Sequence, residues 1–242
     1  MRISTALSTI AVSLLMSTTI ASSHAIWLAE RHGEATIVYG HGSTDEAYDP
    51  AKLKSISGTK LDGSPAQISL KPASDHVMLE IPEDTAIISG EFDNGFWSEG
   101  ADGKWVNEPK NKVPNAKSAG HYIKYLTALL KPTGKAPVAK GLALEVLPLT
   151  DPLSLKAGDD LIIQVLANGK PVAGAEITAE YTTASEAEKL KTDADGKATI
   201  KIRNQGLNVI LANHTQVSPD LTMADEIGLT AALSFALAHG EE

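Results

Sequence analysis

Leu161-Ile-Ile-Gln-Val-Leu-Ala-Asn-Gly-Lys-Pro-Val-Ala-Gly-Ala-Glu-Ile-Thr178 reads as a strand, a tight turn and the start of a second strand. Leu161 to Leu166 is an apolar run of strand length. Asn168-Gly-Lys-Pro is a turn signal, and alternation resumes from Ala175 to Tyr181. The same grammar recurs outward in both directions. Short alternating or branched runs cover 25–28, 34–39, 66–70, 76–81, 85–92, 142–147, 198–202, 207–212 and 229–237. Between them lie Leu61-Asp-Gly-Ser-Pro, Asp93-Asn-Gly, Ala101-Asp-Gly-Lys and Asp193-Ala-Asp-Gly, spaced as in an all-β sandwich. The expected class is therefore all-β, with two β-sandwich domains.

Ser118 to Leu130 is the one ambiguous stretch. Tyr122, Ile123, Leu126, Leu129 and Leu130 fit helical spacing, whereas Tyr122, Leu126 and Leu130 also fit a strand, and strand is the reading preferred. The loop Lys131-Pro-Thr-Gly-Lys-Ala-Pro follows, and the division is placed so that residues 24–147 form an N-terminal β-sandwich domain and 148–242 a C-terminal one. The pairing of Pro171-Val-Ala-Gly-Ala-Glu-Ile-Thr with Thr192-Asp-Ala-Asp-Gly-Lys-Ala-Thr-Ile resembles small immunoglobulin-like modules of bacterial surface and periplasmic proteins, so the second domain is expected to be immunoglobulin-like. Asp193 and Asp195 lack the rest of a calcium loop, and a turn accounts for them.

The first 23 residues have a basic start at Arg2, an apolar stretch around Ile10 to Met16 and a small polar end, the pattern of a secretory signal peptide with cleavage allowed as late as residue 25. The apolar stretch is too short to span a bilayer. The expected location is the periplasm, with no membrane span once the signal is removed. Three cuts obey the small-residue rule, and each leaves a different chemistry. Cutting after Ala25 discards His24. Cutting after Ser23 makes His24 the first residue, so that its amine and ring can chelate one metal. Cutting after Ala21 leaves Ser22-Ser23-His24, a square-planar cage suited to Cu(II) or Ni(II).

Of 242 residues, 43% are hydrophobic and 21% charged, the composition of a globular chain. A formal charge of −9 excludes nucleic acid as an expected partner, because that surface must be basic. With no cysteine, disulfides, thiolate metal sites and cysteine nucleophiles are excluded, and any metal must use His, carboxylate or amide donors. No nucleophile elbow, His-Glu-x-x-His pair, phosphate-cradling loop or dinucleotide fingerprint occurs, so no catalytic residue is assigned and a non-enzyme is expected.

The seven histidines are the distinctive set: His24, His32, His41, His76, His121, His214 and His239. A hairpin from His24 through Trp27 and back to Gly40-His41-Gly42 would bring His41 beside His24. His214 follows a predicted strand, where sandwich edge ligands often sit. Imidazole suits Ni, Co, Cu and Zn.

His24-Ala-Ile-Trp-Leu, Tyr39-Gly-His-Gly, Asn94-Gly-Phe-Trp with Asp102-Gly-Lys-Trp, Gly141-Leu-Ala-Leu-Glu-Val-Leu-Pro-Leu-Thr-Asp-Pro, Thr192-Asp-Ala-Asp-Gly and Asn213-His-Thr occur in an order that resembles a periplasmic domain-of-unknown-function family named as nickel-uptake substrate-specific components. The resemblance implies an all-β periplasmic protein that binds nickel or cobalt, with copper as a further candidate, and that serves a nickel/cobalt transporter. Carried over by position, His24, His41 and His214 are the metal ligands it implies. A different class of function, an envelope interaction module without metal, predicts a stability indifferent to metal ions. A copper mono-oxygenase-like enzyme is a third reading.

Overall fold

The computed structural model describes residues 24–238; the expected signal peptide and His239 lie outside the described residues. The chain runs through β1 (Ala25–Arg31), β2 (Glu34–His41), β3 (Thr44–Asp45), β4 (Leu53–Lys60), β5 (Pro65–Ala66), β6 (Ser69–Pro72) and β7 (Val77–Glu80). It continues through the long β8 (Thr85–Glu99), β9 (Trp105–Val106), β10 (Ser118–Leu129) and β11 (Leu144–Pro148). After β12 (Asp160–Ala167), β13 (Lys170–Pro171) and β14 (Glu176–Thr178) comes one short helix, α1 (Tyr181–Ala184). The last strands are β15 (Leu190–Lys191), β16 (Lys197–Lys201), β17 (Leu207–Val217) and β18 (Glu226–Ala236).

The fold is all-β, in three layers. A large middle sheet has the order β15-β14-β17-β18-β10-β8-β4-β5, with β9 on β8. Sheet β1-β2-β7-β6, with β3 on β2, covers one face, and β11-β12-β13, with β16 on β12, covers the other. Strand alternation divides the middle sheet's side chains between the two covers. Ile88, Phe92, Leu126 and Ala128 meet Ile26, Leu28 and Ile37 of the first cover, and Val209, Leu211 and Ala232 meet Trp27 and Val38. Ile87, Tyr125, Leu129, Leu229 and Leu233 point the other way, against Leu144, Val146, Leu161 and Ile163. Each fully buried side chain of this size contributes roughly 1.5–3 kcal/mol, so two sandwich cores of ordinary strength result.

The two cores share their middle sheet. β4, β8 and β10 come from before residue 147, β14, β17 and β18 from after it, and the halves are joined where β10 runs parallel to β18, Gly120 opposite Glu226 through Leu129 opposite Phe235. The 147/148 position falls within β11, and the middle sheet takes strands from both sides of it.

Ser118–Leu129 is a strand because both its faces are covered, which satisfies the apolar positions that also fitted a helix. β4 is a strand that the apolar pattern does not announce: Leu53-Lys-Ser-Ile-Ser-Gly-Thr-Lys is mostly polar, and its order comes from backbone pairing to β8. The expected strand 175–181 stops at Thr178. Glu180 accepts hydrogen bonds from the N–H groups of Thr182 and Thr183, which starts α1 and swings Tyr181 towards β1 and β2. Asp193 accepts from the N–H groups of Asp195 and Lys197, so its carboxylate is spent on a turn.

Candidate functional site

Antiparallel pairing of β1 with β2 sets Ala25 opposite Gly40, so His24 and His41 flank the open end of that hairpin. Their ring centroids are 6.0 Å apart. His24 stacks on Tyr39 at 5.2 Å, and Tyr39 stacks on the buried Phe92 at 5.3 Å, so an aromatic column runs from the site into the core. Tyr48 closes its side edge-on, donating its hydroxyl to the Ile37 carbonyl.

Each imidazole is oriented by a second group. His24 Nε2 lies 2.8 Å from Glu46 Oε1. An ionised carboxylate only accepts, so Nε2 carries the hydrogen and Nδ1 keeps its lone pair. Nδ1 is also the nitrogen that closes a six-membered chelate ring with the residue's own main-chain nitrogen. His41 Nδ1 lies 3.3 Å from the Tyr181 hydroxyl, whose hydrogen is directed to the Gly40 carbonyl at 3.1 Å. His41 Nε2 lies 3.4 Å from Glu186 Oε1, so the ring is held between a phenol on one nitrogen and a carboxylate on the other. Burial, with the charges of Glu46 and Glu186 adding, holds the Tyr181 phenol above its ordinary pKa, and burial likewise pushes Tyr39 up to about 12. Both therefore remain neutral hydrogen-bonding groups.

A bulge in β8 supplies the floor. Tyr122 pairs with Gly95 but Ile123 with Asp93, so Asn94 is the extra residue, and Gly95 takes the left-handed backbone (φ 82°) that follows it. The bulge turns Asn94 inward, where it bonds the Tyr39 phenol and accepts from Lys52 Nζ at 2.9 Å. Beside it Lys124, only 1% exposed, donates to the carbonyl of His24. Desolvation, reinforced by Lys52, lowers the Lys124 pKa to about 7.

His214 is not brought into this group. It lies within β17 opposite Leu229, which belongs to the core on the far side of the middle sheet, whereas Lys124, Thr230 and Asn213 align on the near side. His76 binds Asp75 at 2.7 Å in a neighbouring cleft of about 400 Å³ lined by Tyr39, Glu46 and Tyr48. His121 binds Asp93 at 2.8 Å under the ring of Phe96. Among the described residues, no three His, Asp or Glu side chains are gathered closely enough to hold a metal ion unaided. Two imidazoles can serve only if further donors come from main chain or solvent, which suits a chelate that includes the nitrogen of residue 24.

Sequence reasoning missed Tyr181, Glu186, Lys52 and Lys124. No local motif marks them, although a Lys at an interior position of the apolar run Tyr122 to Leu130 is a usable warning of a buried cation.

No helix of the described residues is long and apolar enough to cross a membrane. The sequence profile of a family described as "Domain of unknown function (DUF4198)" matches residues 17–216. A protein of Haemophilus influenzae (strain ATCC 51907 / DSM 11121 / KW20 / Rd), described as "Uncharacterized protein", is 31% identical over 170 residues, 69% of this chain and 72% of the relative. Among solved structures, the "D0-D1 domain of Intimin" aligns over 88% of this chain and 97% of its own at 14% identity, with a TM-score of 0.19. Family profile and relative together place the protein: the chain belongs to the DUF4198 family.

Proposed function

We propose that this protein binds one divalent transition-metal ion, nickel or cobalt with copper as the competitor, at the His24–His41 end of the β1–β2 hairpin. It acts in the periplasm as a non-enzymatic carrier that supports uptake through a metal transporter. The observation that carries this reading is the convergence of two imidazoles at 6.0 Å, one backed by Glu46 and the other by Tyr181 and Glu186. In the proposed site, His24 Nδ1, the main-chain amine released by cleavage after Ser23 and His41 Nε2 are the donors, with water completing the shell. Glu46 fixes the ring of His24, and the nearby carboxylates offset the charge of the ion.

Nitrogen donors without thiolate follow the Irving–Williams order, so copper binds more tightly than nickel in a simple titration and selectivity rests on supply and geometry. Calorimetric titration of the processed protein with Ni(II) and with Cu(II) tests the reading. A single site is expected in the wild type, with a loss of at least about 100-fold in His24→Ala, since that change removes a chelating ring. Full affinity in His24→Ala would refute it.

A further inference from the structure

Lys124 is among the largest fully buried side chains, on the middle strand β10 between Phe92 of β8 and Thr230 of β18. The charged group that faces it from the elements packed around it is another lysine, Lys52, and among the described residues no carboxylate pairs with it. Burying an amine in this way opposes folding, and an apolar side chain of the same length would pack against Phe92 and Leu126 without that penalty. Fold stability therefore does not account for a lysine here.

Its hydrogen bond does. Nζ donates to the carbonyl of His24, one hundred residues away in the chain, tying the residue just ahead of β1 to the middle sheet. β1 is an edge strand, and a residue ahead of an edge strand frays unless something holds it. Ala25, the next residue, is fully buried and paired to Gly40, so the tether and the pairing together fix the main chain on both sides of the His24–Ala25 peptide. The Lys52–Asn94–Tyr39 chain fixes the ring on which His24 stacks.

We infer that Lys124 is a positioning residue for metal binding, holding the main chain of residue 24 so that its nitrogen and ring Nδ1 bind one ion in the direction of His41. The inference rests on the metal-binding reading above. It also favours a mature chain that still contains residue 24, because a cut after Ala25 would leave the Lys124 amine buried without its acceptor.

The test uses the processed chain, its first residue read by intact mass, and compares wild type with Lys124→Met by Cu(II) titration, Cu(II) electron paramagnetic resonance and thermal melting without metal. The variant should melt at or above the wild-type temperature, bind Cu(II) at least tenfold more weakly and show an altered nitrogen hyperfine pattern. A role confined to stability would instead lower the melting temperature and leave the spectrum unchanged. Should Lys124→Met not fold, Lys124→Gln, which is too short to reach the carbonyl, takes its place with the same expectation. Wild type that binds with Lys124→Met binding equally well overturns the positioning role alone. Wild type that starts at His24 and does not bind overturns the metal reading and this inference with it.

Discussion

His24 is held through its carbonyl by Lys124, through its ring face by Tyr39 and through Nε2 by Glu46. Such restraint on a half-buried imidazole concentrates function there, and substitutions should grade accordingly. Glu46→Ala removes the acceptor that sets the tautomer and should weaken Ni(II) binding by about tenfold, the usual cost of losing a ligand's outer partner. His41→Ala should weaken it further, whereas His214→Ala should leave the titration unchanged, since that side chain is on the other face of the middle sheet. Equal losses for His41→Ala and His214→Ala would show that the hairpin end is not the site. The His24–His41 pair was legible in the sequence because a hairpin is local and its length can be counted. Lys124 and Tyr181 were not, because they reach the site across 100 and 140 residues, a separation that no periodicity encodes.

At the scale of elements, two buried or half-buried carboxylates shape the site from outside. Glu180, 2% exposed, accepts from the N–H groups of Thr182, Thr183 and Val209 and so joins α1 to β17 while aiming Tyr181 at His41. Glu180→Ala leaves those donors without an acceptor and should cost about 3 kcal/mol in urea unfolding, on the usual scale for hydrogen bonds to a charged group. Asp93, at the β8 bulge, is held below the ordinary carboxylate pKa of 3.8, first by the hydrogen bond from His121, with the Gly95 N–H adding and burial opposing. A depressed carboxylate contributes stability that is present above the unfolded value and lost as pH falls through the lower folded one. Asp93→Asn should therefore be less stable by about 1 kcal/mol at pH 7, and its deficit should shrink below pH 3.8. A deficit independent of pH down to 2 would contradict this assignment. The strands with apolar alternation were readable in advance. β4 was not, because small polar residues can be ordered by pairing alone, and the early end of β14 was not, because Glu180 as a helix cap depends on a distant partner in β17.

For the whole molecule, the shared middle sheet has a consequence for folding. β10 and β18 join the two halves along ten paired residues, and both cores depend on that sheet. Unfolding should be one cooperative transition, with near- and far-ultraviolet circular dichroism changing together. Two resolved transitions, or a folded fragment beginning at residue 148, would mean that the cores are independent. The all-β class was legible from turn spacing, but the sharing of a sheet was not, since strand order across such a separation is not written in any one segment.

The most direct test of the central claim is native mass spectrometry of the protein recovered after export with its own signal, because one spectrum reports the first residue and any metal held. The account predicts a mass beginning at His24 that carries or takes up one Ni, Co or Cu ion. A mass beginning at Ile26, unchanged after those ions are added, would contradict it.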